Sequence, residues 1–589
     1  MTKPMTKPKT EPKTKMINLT IDGRAVQVEE GTSVLEAAKA ASIHIPTLCY
    51  LAEVQAIGAC RVCLVEVQGN KNLQASCTLP VTEGLVVTTS NDRVRKARRF
   101  AVEMLVSDHP FDCLVCERNL NCELQTVANE LGIREVKFAG ERSGGVVDDA
   151  SPSLRRDPNK CILCRRCVTV CQERQGVGAL FVQGRGFESR VEPAFHASLN
   201  EAVCAFCGQC SVVCPTGAIT EKSHIEGVWK ALADPEKFVV VQDAPAVRAA
   251  LGEEFGYPPG TLVTGKMLAA ARRLGFDRVF DTNFTADLTI IEEGNELIKR
   301  VKEGGVLPMI TSCSPGWIKF AEHFYPEFIP NLSTCKSPHQ MLGALTKSYY
   351  AEKEGIDPKK MVVVSVMPCT AKKFECGRPE MEHDGNRDVD YVLTTRELAK
   401  MIREAGIDFR NLPDEMYDNP LGEYTGAATI FGATGGVMEA ALRTVYEVLT
   451  GKSLENLDLM QVRGLEGVKE AVVPIAGVGD VRVAVAHGLG NARMLLEKVK
   501  KGDTVYHFIE VMACPGGCVA GGGQPIPVSN EKRKLRAEAL YKEDKGLKLR
   551  KSHENPAIKK IYEDFLGEPL GHKSHELLHT KYTRRSKTY

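Results

Sequence analysis

The sequence predicts a multidomain protein, with α+β domains in its first half and a large α/β domain in its second half. Three observations lead to this prediction. The chain has 589 residues, and a single hydrophobic core rarely grows beyond about 250–300 residues. Its 21 cysteines are grouped rather than scattered. From about residue 236 to 525, short β-branched runs alternate with helical stretches, which is typical of an α/β domain.

The overall composition is that of an ordinary globular protein. Apolar residues make up 43% and charged residues 26% of the chain, which excludes disorder over its whole length. Lys and Arg number 76 against 75 Asp and Glu, so no general basic field exists to bind nucleic acid or an anionic membrane.

The first residues carry no targeting pattern. Residues 1–15 are rich in Lys, Thr and Pro and lack the apolar stretch of a secretory signal, so we expect a disordered tail. No run of about 18 apolar residues predicts a membrane span. We therefore expect a cytoplasmic protein, in which the cysteines are not paired in disulfides.

Residues 16–94 predict a small domain built on a β-hairpin and a helix. Apolar residues alternate on both sides of Asp22-Gly23, which predicts two strands and a tight turn. Ser33 can cap a helix that begins at Val34. A Cys₄ set could bind structural zinc, but the hairpin and helix favour a ubiquitin-like, plant-type [2Fe–2S] ferredoxin domain. The four cysteines are Cys49, Cys60, Cys63 and Cys77.

Residues 95–135 contain a second set of four ligands. One imidazole and three thiolates follow a basic stretch that is predicted to be helical. Zinc would accept this set too, but its position between two iron–sulfur groups favours a His-ligated [4Fe–4S] cluster. The four residues are His109, Cys113, Cys116 and Cys122.

Residues 152–224 carry the strongest motif, a cysteine run with spacing C-x₂-C-x₂-C-x₃-C that occurs twice. This is the pattern of bacterial two-cluster ferredoxins, in which the fourth cysteine of each run binds the other cluster. The 32 residues between the two runs predict an inserted hairpin or loop. The predicted ligand sets are Cys161, Cys164, Cys167 and Cys214 for one cube, and Cys204, Cys207, Cys210 and Cys171 for the other.

These groups together predict four clusters in a file, which indicates an electron relay that ends at a site of chemistry. No convincing flavin or nicotinamide site accompanies them. The segment from Gly260 to Met267 resembles a phosphate-binding loop but ends in Met where Mg²⁺ binding requires Ser or Thr. The glycines near Gly432 depart from the dinucleotide-binding pattern.

Three cysteine-bearing segments of the second half each follow an apolar run. They begin at Thr311, Met367 and Met512, and each is predicted to lie where a strand ends and a loop begins. Sites of α/β sheets are built at such strand ends. Cysteines brought together there suggest a buried cluster, whereas Cys335 and Cys376 fit scattered core cysteines better.

These three segments resemble the loops of [FeFe]-hydrogenases, and residues 16–589 resemble the multi-cluster catalytic subunit of that family. Within the family the chain is similar to the hydrogenase subunit of NADP-reducing, electron-bifurcating complexes. Residues 528–589 resemble the small-subunit segment of the family, through Arg550 to Asn555 and His575 to His579.

The resemblance implies reversible oxidation of H₂ to protons and electrons at an H-cluster, in a catalytic domain over residues 235–527. The H-cluster is a [4Fe–4S] cube joined through a cysteine sulfur to a diiron centre with CO, cyanide and a bridging dithiolate amine. Cys369, Cys514 and Cys518 match cube ligands, and Lys372 matches the lysine that hydrogen-bonds a cyanide. The matching pocket residues are Ala244, Pro245, Ala246, Met367 and Met512.

A proton path is also implied by the resemblance. Glu293 and Glu296 are three residues apart on a predicted helix and so share a face; without the family, the pair would be taken as a solvated acidic face. His339 departs from the family, which often has Gln near the relay. The residues that match the path are Glu293, Glu296, Arg300 and Ser333.

The first loop leaves one assignment open. The family usually has two adjacent cysteines before the proline, whereas this chain has Cys313-Ser314. A match without gaps places Cys313 at the proton-relay position and Ser314 at the position of the fourth cube ligand. We expect Cys313 to be the relay. The alternative is Cys313 as the ligand, because thiolate is the more usual cluster ligand.

Partners are expected from the resemblance and not from composition. We expect a flavin-bearing NAD(P)-binding iron–sulfur subunit and small [2Fe–2S] subunits, with ferredoxin as a further candidate. Two other functions are alternatives. A hydrogen sensor would use the same cofactor, and the large iron–sulfur subunit of an NADH:quinone-type dehydrogenase would share the first half but lack Cys369, Lys372 and Cys514.

Overall fold

The computed structural model describes residues 15–54, 56–454 and 456–586, so almost all of the tail predicted for residues 1–15 lies outside the described residues. The amino-terminal domain is a five-stranded sheet in the order β2-β1-β5-β3-β4 with one helix. The predicted hairpin is confirmed, and Ser33 caps the helix by accepting the N–H of Glu36. The elements are β1 (Met16–Ile21), β2 (Arg24–Glu29), α1 (Val34–Ala40), β3 (Leu64–Val67), β4 (Gln74–Ala75) and β5 (Val86–Thr88).

The next two regions, residues 95–135 and 152–224, are small and hold the other cysteines that the sequence assigns to an electron relay. The basic stretch is helical, as predicted, and the insertion between Cys171 and Cys204 contains the antiparallel hairpin of β7 and β8. Strands β6 and β9 pair antiparallel and join the two ends of the ferredoxin-like region. The elements are α2 (Asp92–Ser107), α3 (Glu123–Glu130), β6 (Leu154–Arg156), α4 (Arg166–Thr169), β7 (Phe181–Gln183), β8 (Arg190–Glu192), α5 (Gln209–Val213) and β9 (Ile219–Glu221).

The second half contains two four-stranded sheets. The first, in the order β11-β10-β13-β16, is parallel throughout; the second, in the order β12-β19-β18-β17, has an antiparallel pair at its β17 edge. Their strands are β10 (Phe238–Asp243), β11 (Arg278–Asp281), β12 (Met309–Ile310), β13 (Met361–Met367), β16 (Tyr391–Thr394), β17 (Val468–Ile475), β18 (Gly479–His487) and β19 (Phe508–Met512), with a separate hairpin of β14 (Glu382–His383) and β15 (Asn386–Arg387).

Helices surround these sheets, and their buried faces complete the core. The central strands are buried along their whole length, as expected for sheets that helices cover on both faces. The helices are α6 (Ile225–Ala233), α7 (Pro245–Arg248), α8 (Thr264–Leu274), α9 (Thr282–Glu303), α10 (Pro315–Phe324), α11 (Pro338–Leu345), α12 (Ala351–Glu354), α13 (Ala371–Glu375), α14 (Thr395–Glu404), α15 (Gly426–Thr429), α16 (Gly436–Thr450), α17 (Leu489–Lys501), α18 (Asn530–Gly546), α19 (Pro556–Ile561) and α20 (His572–Leu578).

The strand ends position the cysteine-bearing loops. Strands β12, β13 and β19 each end directly before one of the three loops, as the sequence predicts. Because parallel strands present their carboxyl ends at one edge, these loops meet between the two sheets. No helix within the described ranges is long and apolar enough to cross a bilayer.

The carboxy-terminal segment packs on the second half through a buried ion pair. Arg443 of α16 donates to both carboxylate oxygens of Asp544 on α18, at 3.0 and 2.9 Å. Arg550 donates to the same carboxylate at 2.6 Å. The side chains of Arg443 and Asp544 are fully buried. A charge left without its partner in such a place is strongly destabilising.

We predict that Asp544→Asn destabilises the packing of the carboxy-terminal segment by up to about 3–5 kcal/mol, because it removes one of the two buried carboxylates that neutralise the Arg443 guanidinium and leaves only Glu439 at 2.6 Å. The matched control is Glu538→Gln on the same helix, whose exposed pair with Lys534 should contribute less than about 1 kcal/mol. Calorimetric unfolding compares the two variants. Equal stabilities would show that the pair does not hold the segment in place.

Candidate active site and metal centres

Four thiols of the amino-terminal domain meet, as the sequence predicts. The N–H of Cys60 donates to Cys49 Sγ at 3.5 Å, and the Cys49 side chain is also hydrogen-bonded to Cys77. The Cys63 thiol in turn is hydrogen-bonded to Cys77, which lowers the pKa of Cys63 to about 6. Three of the four side chains are almost fully buried. Such a buried set of four sulfur donors fits an iron–sulfur cluster or zinc.

His109 has the hydrogen bonding expected of a metal ligand. Its Nδ1 lies 2.8 Å from the carbonyl oxygen of Pro110, to which it donates, while its buried Nε2 has no partner among the described residues. Metal-ligating histidines usually donate their other ring N–H in this way. Cys122 Sγ lies 3.6 Å from the carbonyl oxygen of Pro215, which directly follows the second ferredoxin-like run. Burial lowers the pKa of His109 and so favours the neutral imidazole.

The two ferredoxin-like runs form two separate cavities with crossed cysteine sets. The first cavity is lined by three cysteines of the first run and the last cysteine of the second. The second cavity has the reverse combination. These are the two predicted sets. Burial raises the pKa of one thiol from each set, Cys161 and Cys204, to about 11, so the thiols stay protonated at neutral pH unless a metal binds.

A cavity of about 90 Å³ lies where the two large sheets meet, and the three predicted loops line it. Its wall brings together the thiols that the sequence assigns to one cluster. Every proposed pocket residue also lies there. The predicted residues that line it are Ala244, Pro245, Ala246, Cys313, Ser314, Met367, Cys369, Lys372, Met512, Cys514 and Cys518.

The loop between Cys514 and Cys518 needs glycine for its course. Gly517 has φ of +91°, and a Cβ there would lie 2.6 Å from the backbone nitrogen of Thr434. Any other residue would therefore strain the backbone and displace the neighbouring chain. The glycine lets the loop turn back so that both cysteines reach the cavity.

The second ferredoxin-like cavity adjoins this cavity between the two sheets. Cys207 lines both, and Cys514 Sγ lies 4.0 Å from its carbonyl oxygen. Gln175 joins the two regions, because its side-chain amide donates to Cys207 Sγ at 3.4 Å and to the carbonyl of Ala513 at 3.0 Å. The same side chain accepts the N–H of Leu489 at 2.9 Å. Sequence reasoning missed Gln175, which carries no motif.

Lys372 is anchored at the cavity wall by a buried carboxylate. Its Nζ donates to Glu375 at 2.9 Å and to the carbonyl of Cys313 at 3.1 Å, which leaves one of its three donors for a ligand. His339 Nε2 lies 2.6 Å from the same Glu375 oxygen. Burial and the Lys372 charge lower the pKa of His339 to about 4, so the imidazole is neutral. Glu375 was also missed; its spacing of three from Lys372 was the available signal.

Cys313 and Ser314 point to different neighbours. Burial raises the pKa of the Cys313 thiol well above its usual value, and the Glu293 carboxylate raises it further. Ser314 Oγ instead accepts the N–H of Ala513 at 3.2 Å, beside Cys514. Cys313 therefore lies on the side of the acidic helix, and Ser314 on the side of the cysteine loop.

The residues matched to the proton path form a connected series. Ser333 Oγ donates to Glu296 at 2.9 Å and is also hydrogen-bonded to Glu293. Glu296 pairs with Arg300 at 2.6 Å, near the surface. Both glutamates are buried on α9, so the interpretation as a solvated acidic face is wrong. Burial, reinforced by the Glu296 charge, raises the pKa of Glu293 to about 8.

Comparison with protein families supports the division seen in the structure. Residues 237–522 match the iron-only hydrogenase large subunit, C-terminal domain, and residues 530–585 match the iron hydrogenase small subunit. Ahead of these lie a 2Fe-2S iron–sulfur cluster binding domain (14–92), the NADH-ubiquinone oxidoreductase-G iron–sulfur binding region (98–137) and a 4Fe-4S dicluster domain (149–218). An NADH:quinone-type subunit would not account for the first two matches.

Individual proteins agree with this division. The chain is 55% identical, over 97% of its length and all of the relative, to the NADP-reducing hydrogenase subunit HndD of Solidesulfovibrio fructosivorans. It is 43% identical, with the same coverage, to iron hydrogenase 1 of Clostridium pasteurianum.

The solved structure of the [FeFe]-hydrogenase HydA(deltaEFG), which reveals stepwise H-cluster assembly, matches with a TM-score of 0.56 and 46% identity. The match covers 62% of this chain and 99% of that one. Together with the converging cysteine loops, these matches show that the chain belongs to the [FeFe]-hydrogenase family, iron–sulfur enzymes that interconvert H₂ with protons and electrons.

Proposed function

We propose that the chain is the catalytic subunit of a multisubunit hydrogenase that reversibly oxidises H₂ and passes the electrons through four iron–sulfur clusters to NAD(P)-reducing partners. The observation that carries the proposal is the convergence of Cys369, Cys514 and Cys518 on a cavity that Cys207 of the ferredoxin-like region also lines. The name of the relative at 55% identity supports a nicotinamide-reducing complex.

The expected partners are a flavin-bearing NAD(P)-binding iron–sulfur subunit and small [2Fe–2S] subunits, with ferredoxin as a further electron acceptor. The choice between NAD and NADP lies with those partners. The cytoplasmic location and the domain bounds expected from the sequence (1–15, 16–94, 95–135, 152–224, 235–527 and 528–589) remain predictions.

The proposed relay consists of one [2Fe–2S] cluster and three [4Fe–4S] clusters. The unpartnered Nε2 of His109 supports its assignment as ligand of one cube, with Cys113, Cys116 and Cys122. The crossed cavities support the assignment of the two ferredoxin-like cubes. The [2Fe–2S] ligands are assigned as Cys49, Cys60, Cys63 and Cys77.

The cavity residues fit an H-cluster. When bound, that group supplies the iron at which H₂ is split or formed. Cys369, Cys514 and Cys518 would hold its cube, and the apolar side chains of Met367 and Met512 would exclude water. Lys372 keeps a donor for a buried anionic ligand such as cyanide, which needs a charged hydrogen-bond partner in an apolar cavity.

Protons are proposed to move between the cavity and the surface along Cys313, Glu293, Ser333, Glu296 and Arg300. A carboxyl with a pKa of about 8 both holds and releases a proton near neutral pH, which suits a relay. Ser333 joins the two glutamates because its hydroxyl can donate to one and accept from the other. Arg300 holds the Glu296 carboxylate near solvent.

The proposed function predicts that the matured chain evolves H₂ from a reduced low-potential dye without partners, and does not reduce NAD⁺ or NADP⁺ with H₂. Infrared spectroscopy of the same sample should show CO and cyanide bands. Full iron content and the bands without turnover would indicate a hydrogen sensor instead. Nicotinamide reduction by the isolated chain would contradict the proposed need for partners.

Glu293→Gln is expected to lower H₂ evolution by about 10²–10⁴-fold, because an amide cannot exchange the proton and general acid–base groups contribute this much. In the unaltered chain, evolution should decline as the pH rises through about 8, because Glu293 then carries no proton to donate. The control is Glu303→Gln, at the exposed end of the same helix. Full activity of Glu293→Gln with intact infrared bands would place the path elsewhere.

Substitutions of the two adjacent residues of the first loop, Cys313 and Ser314, are expected to have different effects on turnover and on the cluster spectra. Cys313→Ala should keep its iron content and its CO and cyanide bands but lose most turnover, because it removes the relay thiol. Ser314→Ala should instead weaken the spectroscopic signal of the H-cluster cube, because it removes the proposed fourth ligand. If Cys313→Ala loses the cube signal and Ser314→Ala does not, the two roles must be exchanged.

A further inference from the structure

Lys319 on α10 is a buried cation beside the second ferredoxin-like cavity. Its side chain is 3% exposed, and its Nζ lies 4.4 Å from the ring centroid of Phe206 and 5.6 Å from that of Phe374. Phe206 lies between the ligand candidates Cys204 and Cys207, and its N–H donates to Cys204 Sγ at 3.4 Å. Of the neighbouring charges, Lys319 acts most strongly on the Cys204 thiol.

This ammonium group has a neutral hydrogen-bond partner. Lys319 Nζ lies 2.9 Å from His323 Nε2. His323 Nδ1 lies 2.9 Å from the carbonyl of Ser586 and must donate to it, so Nε2 is left as the acceptor. Burial and the Lys319 charge lower the pKa of His323 to about 4. The imidazole therefore adds no charge.

No carboxylate neutralises Lys319 within the part of the chain that the structure describes. The nearby Glu322 is already paired with Arg378 at 2.7 Å and with Arg585 at 2.6 Å. Asp148 acts on Cys204 in the opposite direction, but it lies 3.7 Å from Arg156. Burial lowers the pKa of Lys319 only to about 8, so it is charged at neutral pH.

The first ferredoxin-like cavity differs in this respect. The buried cations near its thiols are Arg156 and Arg166, and both are paired with carboxylates. Arg156 lies 3.7 and 3.8 Å from Asp148 and Glu192, and Arg166 lies 2.8 Å from Glu123. Arg118, which acts on Cys214, is only partly buried and donates to the carbonyl of Asn121 at 2.9 Å, and Arg165 at the cavity wall is exposed. The two cysteine sets are alike in spacing, so a buried cation without a carboxylate partner, as Lys319 is, is a difference between their surroundings.

We propose that Lys319 is a positioning residue that raises the reduction potential of one cluster above that of the first ferredoxin-like cluster. The cluster that it affects is the one held by Cys171, Cys204, Cys207 and Cys210. The inference rests on the cluster assignments proposed above. Reduction adds one electron to an already anionic cluster, and a buried cation stabilises the reduced state. Charge, burial and hydrogen bonds are the means by which proteins set these potentials.

The position of this cluster in the proposed relay explains what a higher reduction potential would do. The cluster would lie between the first ferredoxin-like cube and the catalytic cavity, because Cys207 lines both cavities. A higher potential there draws electrons toward the catalytic cavity and holds them beside it. The Lys319 ammonium lies against the rings of Phe206 and Phe374, and an ammonium cannot bind iron, so Lys319 acts through its field and not as a ligand.

The test is an anaerobic redox titration of the full-length, iron-loaded chain, followed by electron paramagnetic resonance. Cys210→Ala first identifies the signal of this cluster by its loss. Lys319→Met keeps an unbranched side chain only one atom shorter, suits the aromatic contacts and removes the charge. We expect it to weaken the electron affinity of this cluster about tenfold, which is about 59 mV for one electron, while the first ferredoxin-like cube is unchanged.

Two further variants separate charge from packing. Lys319→Arg should restore the potential because it keeps the charge, and His323→Gln should leave it nearly unchanged because Lys319 remains. An unchanged potential in Lys319→Met, or an equal shift in all clusters, would overturn the role of Lys319. If Cys210→Ala removes no [4Fe–4S] signal, the proposed ligand set is wrong and the inference falls with it.

Discussion

This structure depends on one constraint, which is that cysteine thiols are buried around cavities in the interior. In the ferredoxin-like region burial raises the pKa of Cys161 and Cys204 to about 11, so these sulfurs become thiolates only when a metal binds. Metal binding and folding are coupled under such conditions. The short elements of the ferredoxin-like region follow from this, since they serve to bring thiols together, whereas the amino-terminal domain also has a hydrophobic core of its own.

Charges in the interior follow two patterns. Most are paired, as Arg443 is with Asp544 and Lys372 is with Glu375, and these pairs hold segments and side chains in position. Lys319 has no such partner among the described residues. The paired charges thus hold parts of the chain in position, whereas the positive field of Lys319 is proposed to act on the electrons of the nearby cluster.

Helix α9 connects the carboxy-terminal segment with the proposed proton path. Glu293 and Glu296 face Ser333 on one side. The adjacent Glu292 accepts the hydroxyl of Tyr562 and lies 3.1 Å from His579 Nε2, both in the carboxy-terminal segment. The segment therefore holds α9 at the residue next to the carboxylates of the proposed path.

The sequence by itself determined the features that depend on local spacing. The cysteine runs, the hairpin at Asp22-Gly23 and the cysteine loops after strands are all local patterns, and the structure contains each of them. Only the tertiary structure showed how Gln175 links Cys207 to Ala513, that Glu375 anchors Lys372, and that no described carboxylate neutralises Lys319. The contact of Gln175 with Ala513 joins residues more than three hundred positions apart, and the spacing of Lys372 and Glu375 is local but does not reveal that both side chains are buried at one cavity. Burial and charge neutralisation are set by neighbours from distant segments, which no local pattern encodes.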